Sequence, residues 1–182
     1  MPVITPEGGH SLNLEREFFE ITRDILHHDA FIQSKYIKHH EGSIYDHSVE
    51  VAYKAYRIAK KLGMDYRSVA RGGLLHDFFL YDWRTKGNRS LKHMRNSHAV
   101  SHPKIALENA REFFQINDRE ADIIGKHMFP TTIIPPKYKE SWVVTFVDKL
   151  CAIQEYKDVV SVKYQWNYRL YRLQQSLSLL TV

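Results

Sequence analysis

The chain has 182 residues, 43% of them hydrophobic and 26% charged, with few Gly and few Pro, the composition of an ordinary soluble protein that reads most simply as one domain. Its single cysteine, Cys151, excludes an internal disulfide, and no apolar run approaches the roughly 20 residues that a membrane-spanning helix needs. The formal charge of +5 suits an anionic partner without requiring one, and Met1-Pro2-Val3-Ile4 shows neither region of a secretory leader, so the expected location is the cytoplasm with no membrane association.

Helical periodicity runs through the chain with no sustained alternation and no internal repeat, which predicts an all-α fold. Leu14, Phe18, Ile21 and Ile25 recur at helical spacing and predict an amphipathic helix from about Ser11 to His28. The next helix should begin near Asp46 and stop at Gly63, a suitable left-handed terminator after Leu62. Its stripe is His47, Val51, Ala55, Ile58 and Leu62, which turns the His47 imidazole inward at the first turn. In the following helix Val69, Gly72, Gly73 and His76 share a face, and the two glycines allow close backbone approach. Asp77 follows, flanked by Leu74, Leu75, Phe78, Phe79 and Leu80, where an unpaired carboxylate would cost several kcal/mol.

The basic stretch from Arg84 to Arg95 reads as a polar loop, either drawing phosphates toward a site or simply solvated. Ser97 or Ser101 is available to cap a third helix with Pro103 in its first turn, and His102, Ala106, Ala110 and Phe113 form its stripe. Asn117 and Glu120 have capping-box spacing and would open a helix containing Ile123, Ile124 and His127, which the segment Pro130 to Pro136 ends. From about Ser141 to Tyr156 the chain is almost continuously apolar and predicts a central helix with Asp148 in its middle. Tyr164 to Leu180 mixes Tyr, Trp, Arg and Leu at roughly helical spacing, for packing on the domain or for a dimer contact; the oligomeric state stays open.

Taken singly, each of His47, His76, Asp77, His102, His127 and Asp148 reads as a hydrogen-bonded core residue. Together, four inward histidines and two aspartates in apolar surroundings make a costly core unless something compensates their polarity, and two divalent cations would do so.

In this order of His, His-Asp, His, His and Asp the chain resembles the HD superfamily of metal-dependent phosphohydrolases over roughly Ile44 to Tyr156. The segments that carry the resemblance are Tyr45-Asp46-His47-Ser48-Val49-Glu50-Val51-Ala52, Gly73-Leu74-Leu75-His76-Asp77 and Val147-Asp148. It implies an HD-domain helical bundle, flanked by an N-terminal helix and a C-terminal helical extension, with His47, His76, Asp77 and Asp148 as the basic ligand set. His102-Pro103 followed by Ala106 is similar to the second-metal motif of dinuclear members, and His127 falls where their next ligand lies. By that resemblance Asp77 bridges two ions, one also held by His47, His76 and Asp148, the other by His102 and His127. Phe78-Phe79-Leu80 stands where dinuclear cyclic-dinucleotide phosphodiesterases carry Gly-Lys, and Met128 where the diadenosine tetraphosphate hydrolases carry Thr, so neither substrate is transferred to this chain.

Mixed imidazole and carboxylate ligation suits Mn, Fe, Co or Zn better than calcium. Two such ions about 3.5–4 Å apart activate water and clamp a phosphoryl oxygen, so the expected reaction is hydrolysis of a phosphate ester or anhydride. The expected substrate is a nucleotide or related small phosphorylated metabolite rather than a nucleic acid.

His98, four residues before His102, is a candidate general acid beside Asp77, or an exposed histidine with no role. Arg84, Lys126 and Lys149 are candidate phosphate-binding residues, although neighbours on a helix point about 100° apart, which sets Lys126 and Lys149 away from His127 and Asp148. Asp82, Trp83 and Phe129 would line the mouth of the pocket or merely pack, and His39-His40 reads as a polar loop. Two alternatives stand beside this reading: a mononuclear nucleotidase whose His102 and His127 bind substrate, and a non-catalytic module that binds a nucleotide or RNA.

Overall fold

Local signals start and stop most of the helices. In the computed structural model, which describes residues 6–39, 42–80, 98–154 and 156–157, α1 spans Pro6–Leu26, α2 Asp29–Ile32, α3 Ile44–Lys61, α4 Tyr66–Leu75, α5 His98–Phe113 and α6 Asp118–Lys126, with α7 over 139–154. A 3-10 turn, Gln33–Tyr36, and an antiparallel pairing of Lys38–His39 with Gly42–Ser43 lead into α3. Among the described residues the fold is therefore all-α apart from that short pairing. Arg84, Asp82, Trp83, the rest of the basic stretch, His40, Ser97 and the segment Tyr164 to Leu180 lie outside the described residues. No helix of the described residues is long and apolar enough to cross a membrane.

α3 begins two residues before its expected start because Ser43 caps it, its hydroxyl accepting from the Asp46 N–H at 3.1 Å. It ends as expected at Gly63, whose φ of +64° is the left-handed conformation that glycine adopts without strain. There the N–H of Met64 donates to the Ala59 carbonyl and that of Gly63 to Lys60, the paired bonds of a Schellman motif. The expected capping box opens α6: Asn117 Oδ1 accepts from the Glu120 N–H at 2.9 Å, and Glu120 Oε2 accepts from the Asn117 N–H at 3.0 Å. α5 differs from expectation. It starts at His98, so Ser101 is inside the helix rather than capping it, and Pro103 lies beyond the first turn.

Three helices form a middle layer. Val51, Ala55 and Ala59 of α3, Val69 of α4 and Ile123 of α6 pack on Val144, Val147 and Cys151 of α7. On the opposite side Ala52 and Tyr56, Ala70 and Leu74, and Ile124 face Phe18, Ile21 and Ile25 of α1 and Ala106 and Ala110 of α5. The expected α3 stripe is corrected here. The crossing with α4 turns the buried arc toward Ala52, Tyr56 and Ala59, and leaves Ile58 (40%) and Leu62 (59%) exposed. Phe113 likewise sits at an edge. Among the described residues α7 lies on the outside rather than at the centre: it buries one face and exposes Phe146 (63%), Leu150 and Ile153 on the other.

The segment between α6 and α7 is held by one buried carboxylate. Asp122 Oδ2 accepts from the N–H groups of Lys137 (2.9 Å) and Tyr138 (3.3 Å) and from the Ser141 hydroxyl (2.7 Å), while Lys126 pairs with Oδ1 at 2.6 Å. Burial opposes the charge, but the Lys126 ammonium and these donors outweigh it and hold the Asp122 carboxyl below its usual range. Substituting Asp122 by Ala strands those donors and should cost roughly 3 kcal/mol, a fall in Tm of about 6–12 °C for a chain of this size. Because the folded value is depressed, this contribution is complete above the unfolded carboxyl's pKa of about 3.9 and disappears as pH falls through the folded value. The gap in Tm between wild type and variant, followed by circular dichroism, should therefore close on acidification below about pH 4.

Candidate metal centre

The six residues singled out by sequence converge at one end of the middle layer. His47 comes from the first turn of α3, His76 and Asp77 from the end of α4, His102 from α5, His127 from the end of α6 and Asp148 from the middle of α7. All six are buried, with His76 wholly inaccessible.

Helix ends aim two of the imidazoles. His76 and His127 are the C-cap residues of α4 and α6, where carbonyls run out of intrahelical partners. His76 Nδ1 donates to the Gly73 carbonyl at 2.7 Å, and His127 Nδ1 donates to the Ile124 carbonyl at 2.9 Å. A carbonyl only accepts, so the proton is on Nδ1 in both rings and the Nε2 lone pair faces the cluster. The turn that carries Asp77 is braced by Asn109 of α5, whose amide donates to the Phe78 carbonyl at 2.9 Å. Sequence reasoning missed Asn109, whose one signal is an amide beside the apolar Ala106 and Ala110 positions.

The Asp77 carboxylate lies between two groups of imidazoles. Oδ1 is 3.1 Å from His102 Nε2 and 3.3 Å from His127 Nε2, and those two nitrogens are 2.8 Å apart. Oδ2 is 3.7 Å from His76 Nε2. On the far side Asp148 Oδ1 is 3.2 Å from His47 Nε2 and 3.7 Å from His76 Nε2. The donor atoms of His47, His76 and Asp148, and those of His76, Asp77 and His127, each lie within 4.8 Å of one another and are able to hold a metal ion. His76 Nε2 is buried with no hydrogen-bond partner, a costly state for a polar atom and one that suits a metal ligand.

Electrostatics keep the donors in ligand form. Burial penalises the charge on Asp77, yet His76, His102 and His127 outweigh it and hold the carboxyl well below the usual range. Asp148 is depressed in the same way, burial being overcome by His47 and His76. Burial pushes the His127 imidazole down and outweighs the carboxylate of Asp77, which leaves the ring neutral at pH 7.

Of the candidate phosphate-binding residues, Lys149 lies against the cluster, Lys126 pairs away from it, and Arg84 is outside the described residues. Lys126 is paired with Asp122, and Lys149 Nζ donates to Asp148 Oδ2 at 2.8 Å and to the His127 carbonyl at 3.1 Å. His98 is the first residue of α5, and its side chain is outside the described set. Phe129 packs edge-on against Trp142. His39 is in the short pairing before α3.

The HD domain family model matches residues 44–153, a stretch that contains all six residues. The chain belongs to the HD domain family. Among characterised proteins this HD domain is similar to Ribonuclease Y of Pseudothermotoga lettingae, 33% identical over 110 residues. That match covers 60% of this chain but 18% of the ribonuclease, so the HD protein described here spans less than a fifth of its relative's length. No solved structure matches the chain.

Proposed function

We propose that this HD domain protein is a metal-dependent phosphohydrolase that cleaves a phosphate ester or anhydride bond of a nucleotide or related small phosphorylated metabolite, using two divalent transition ions. The observation that carries the reading is the Asp77 carboxylate, with one oxygen toward His102 and His127 and the other toward His76. A carboxylate so placed fits a bridging ligand, and the partnerless His76 Nε2 fits a first ligand beside it. His47, His76, Asp77 and Asp148 would hold one ion, and Asp77, His102 and His127 the other. When bound, such ions lower the pKa of water and polarise a phosphoryl oxygen. The chain's own residues orient the donors: the buried Phe79 ring packs edge-on against His102, and the Gly73 and Ile124 carbonyls fix the orientations of His76 and His127. His98, one turn before His102, is the proposed proton donor to the leaving group, and Arg84 the proposed phosphate anchor. Lys126 and Lys149 already have carboxylate partners, so phosphate binding by either would compete with those pairs.

A second reading, hydrolysis of an RNA phosphodiester, is favoured by the similarity to a protein named Ribonuclease Y and by the charge of +5. Elemental analysis of protein purified without chelator, together with phosphate release from a nucleotide panel and cleavage of an RNA oligonucleotide, separates the readings. About two metals per chain, fewer in His127→Ala, and turnover lost with the second ion are expected. One metal in both proteins with turnover intact would sink the two-ion assignment and favour a four-ligand nucleotidase. Metal and binding without turnover would leave a non-catalytic module. RNA as the preferred ligand should show a steep salt dependence and a small nucleotide a shallow one.

Chelation offers a check that needs no substrate. An ion present at about 100 times its Kd stabilises the folded state by ~2.7 kcal/mol, so stripping it should lower Tm by roughly 5–11 °C. A melting curve unmoved by chelator in metal-loaded protein would contradict a metal centre in this cluster.

A further inference from the structure

We infer that Lys149 is a positioning residue of this centre, restricting Asp148 to one ligating oxygen and tying it to the backbone that carries His127. The inference rests on the metal-centre reading above. Asp148 divides its oxygens between two environments: Oδ1 faces His47 and His76, at 3.2 and 3.7 Å, while Oδ2 accepts from Lys149 Nζ at 2.8 Å. An oxygen engaged by an ammonium at that distance is a poor second donor to a cation, so Asp148 offers Oδ1 alone.

The second bond of Lys149 goes to the His127 carbonyl at 3.1 Å, with the Met128 sulfur 3.7 Å away. His127 is the C-cap of α6, and its carbonyl is among those that a helix end leaves without an intrahelical partner. One ammonium thus caps α6, clamps α7 to it, and links a ligand of the His47, His76 and Asp148 group to a ligand of the His76, Asp77 and His127 group. Lys126, of equal charge, contacts none of these; its partner is Asp122.

Positioning and simple charge predict opposite signs. A cation beside a metal site repels the metal, so its removal would tighten binding if charge were its only contribution. If Lys149 holds Asp148 in place, its removal weakens binding. Cobalt(II) titrated into metal-free protein, followed by visible absorption and calorimetry, decides between them. Lys149→Met should lower cobalt affinity by about 10- to 100-fold, the range for partners that orient ligands, and shift the cobalt absorption bands as Asp148 changes its mode of ligation. Lys149→Arg should recover most of the affinity and the wild-type bands. Lys126→Met should stay within about twofold of wild type, because its partner is not a ligand. Lys149→Gln, which keeps a donor without the reach, carries the same expectation as the Met variant should that one not fold.

Unchanged or tighter cobalt binding in Lys149→Met, with wild-type bands, overturns the inference while leaving the metal centre standing. So does a raised KM with cobalt binding intact, which would assign Lys149 to the substrate phosphate. A wild-type protein that takes up no cobalt overturns the metal-centre reading, and this inference with it.

Discussion

Substituting Asp77 by Asn is expected to reduce hydrolysis more than about 10³-fold, equivalent to roughly 4 kcal/mol of barrier, and to remove at least one metal ion per chain. The effect should exceed that of His47→Ala or His102→Ala, because Asp77 faces both groups of imidazoles, Oδ1 toward His102 and His127 and Oδ2 toward His76. His47→Ala or His102→Ala removes a donor from one group only. Asn keeps the shape of the buried side chain, so the packing at this position is preserved. Its amide cannot serve both sides, since one end is now an N–H donor with no lone pair to offer a cation. Elemental analysis and phosphate release measured together, with circular dichroism as the check on folding, test this. Activity within tenfold of wild type would take Asp77 out of its place between two ions and reject the two-ion reading.

The legible features were the local ones. Gly63 and the Asn117–Glu120 box behave as expected because a left-handed terminator and a reciprocal cap depend only on neighbours in sequence. The buried polar cluster was legible for a different reason: a histidine or aspartate on an apolar stripe is costly unless it is compensated, so His47, His76, Asp77, His102, His127 and Asp148 marked themselves by being out of place. What failed depended on tertiary context. α7 is apolar nearly all round, a pattern that predicts a helix buried on every side, yet among the described residues its outer face carries exposed Phe146, Leu150 and Ile153. Lys149 was the harder case. Side chains adjacent on a helix leave the axis about 100° apart, which argued against any contact between Lys149 and Asp148. A four-carbon stem can curl back over that angle, and the His127 carbonyl that gives the ammonium a second acceptor arrives from a different helix.

Gly73 is where fold and site depend on the same ångström, and Gly73→Ala should damage both. A Cβ at position 73 would lie 2.9 Å from Ala52 Cα and 3.2 Å from its Cβ. The obstacle is the backbone of α3, which cannot rotate aside as a side-chain tip would, so α3 and α4 must move apart. Alanine gains about 1 kcal/mol of helix propensity over glycine, but overpacking of this kind costs roughly 1–3 kcal/mol, and Gly73→Val should cost still more. The separation also reaches the ligands. His47 is on α3 and His76 ends α4, where its Nδ1 is held by the carbonyl of Gly73 itself. Pushing the helices apart spreads the two imidazoles, and metal affinity should fall about tenfold or more alongside stability. Gly63→Ala separates this from a general intolerance of substitution. With φ at +64° and nothing within 4 Å of the new methyl, it should cost about 1 kcal/mol and leave metal binding unchanged. Urea denaturation of both variants, with metal affinity measured on the same preparations, is the comparison. If Gly73→Ala binds metal as tightly as Gly63→Ala does, the close approach of α3 and α4 serves packing alone and does not set the spacing of His47 and His76.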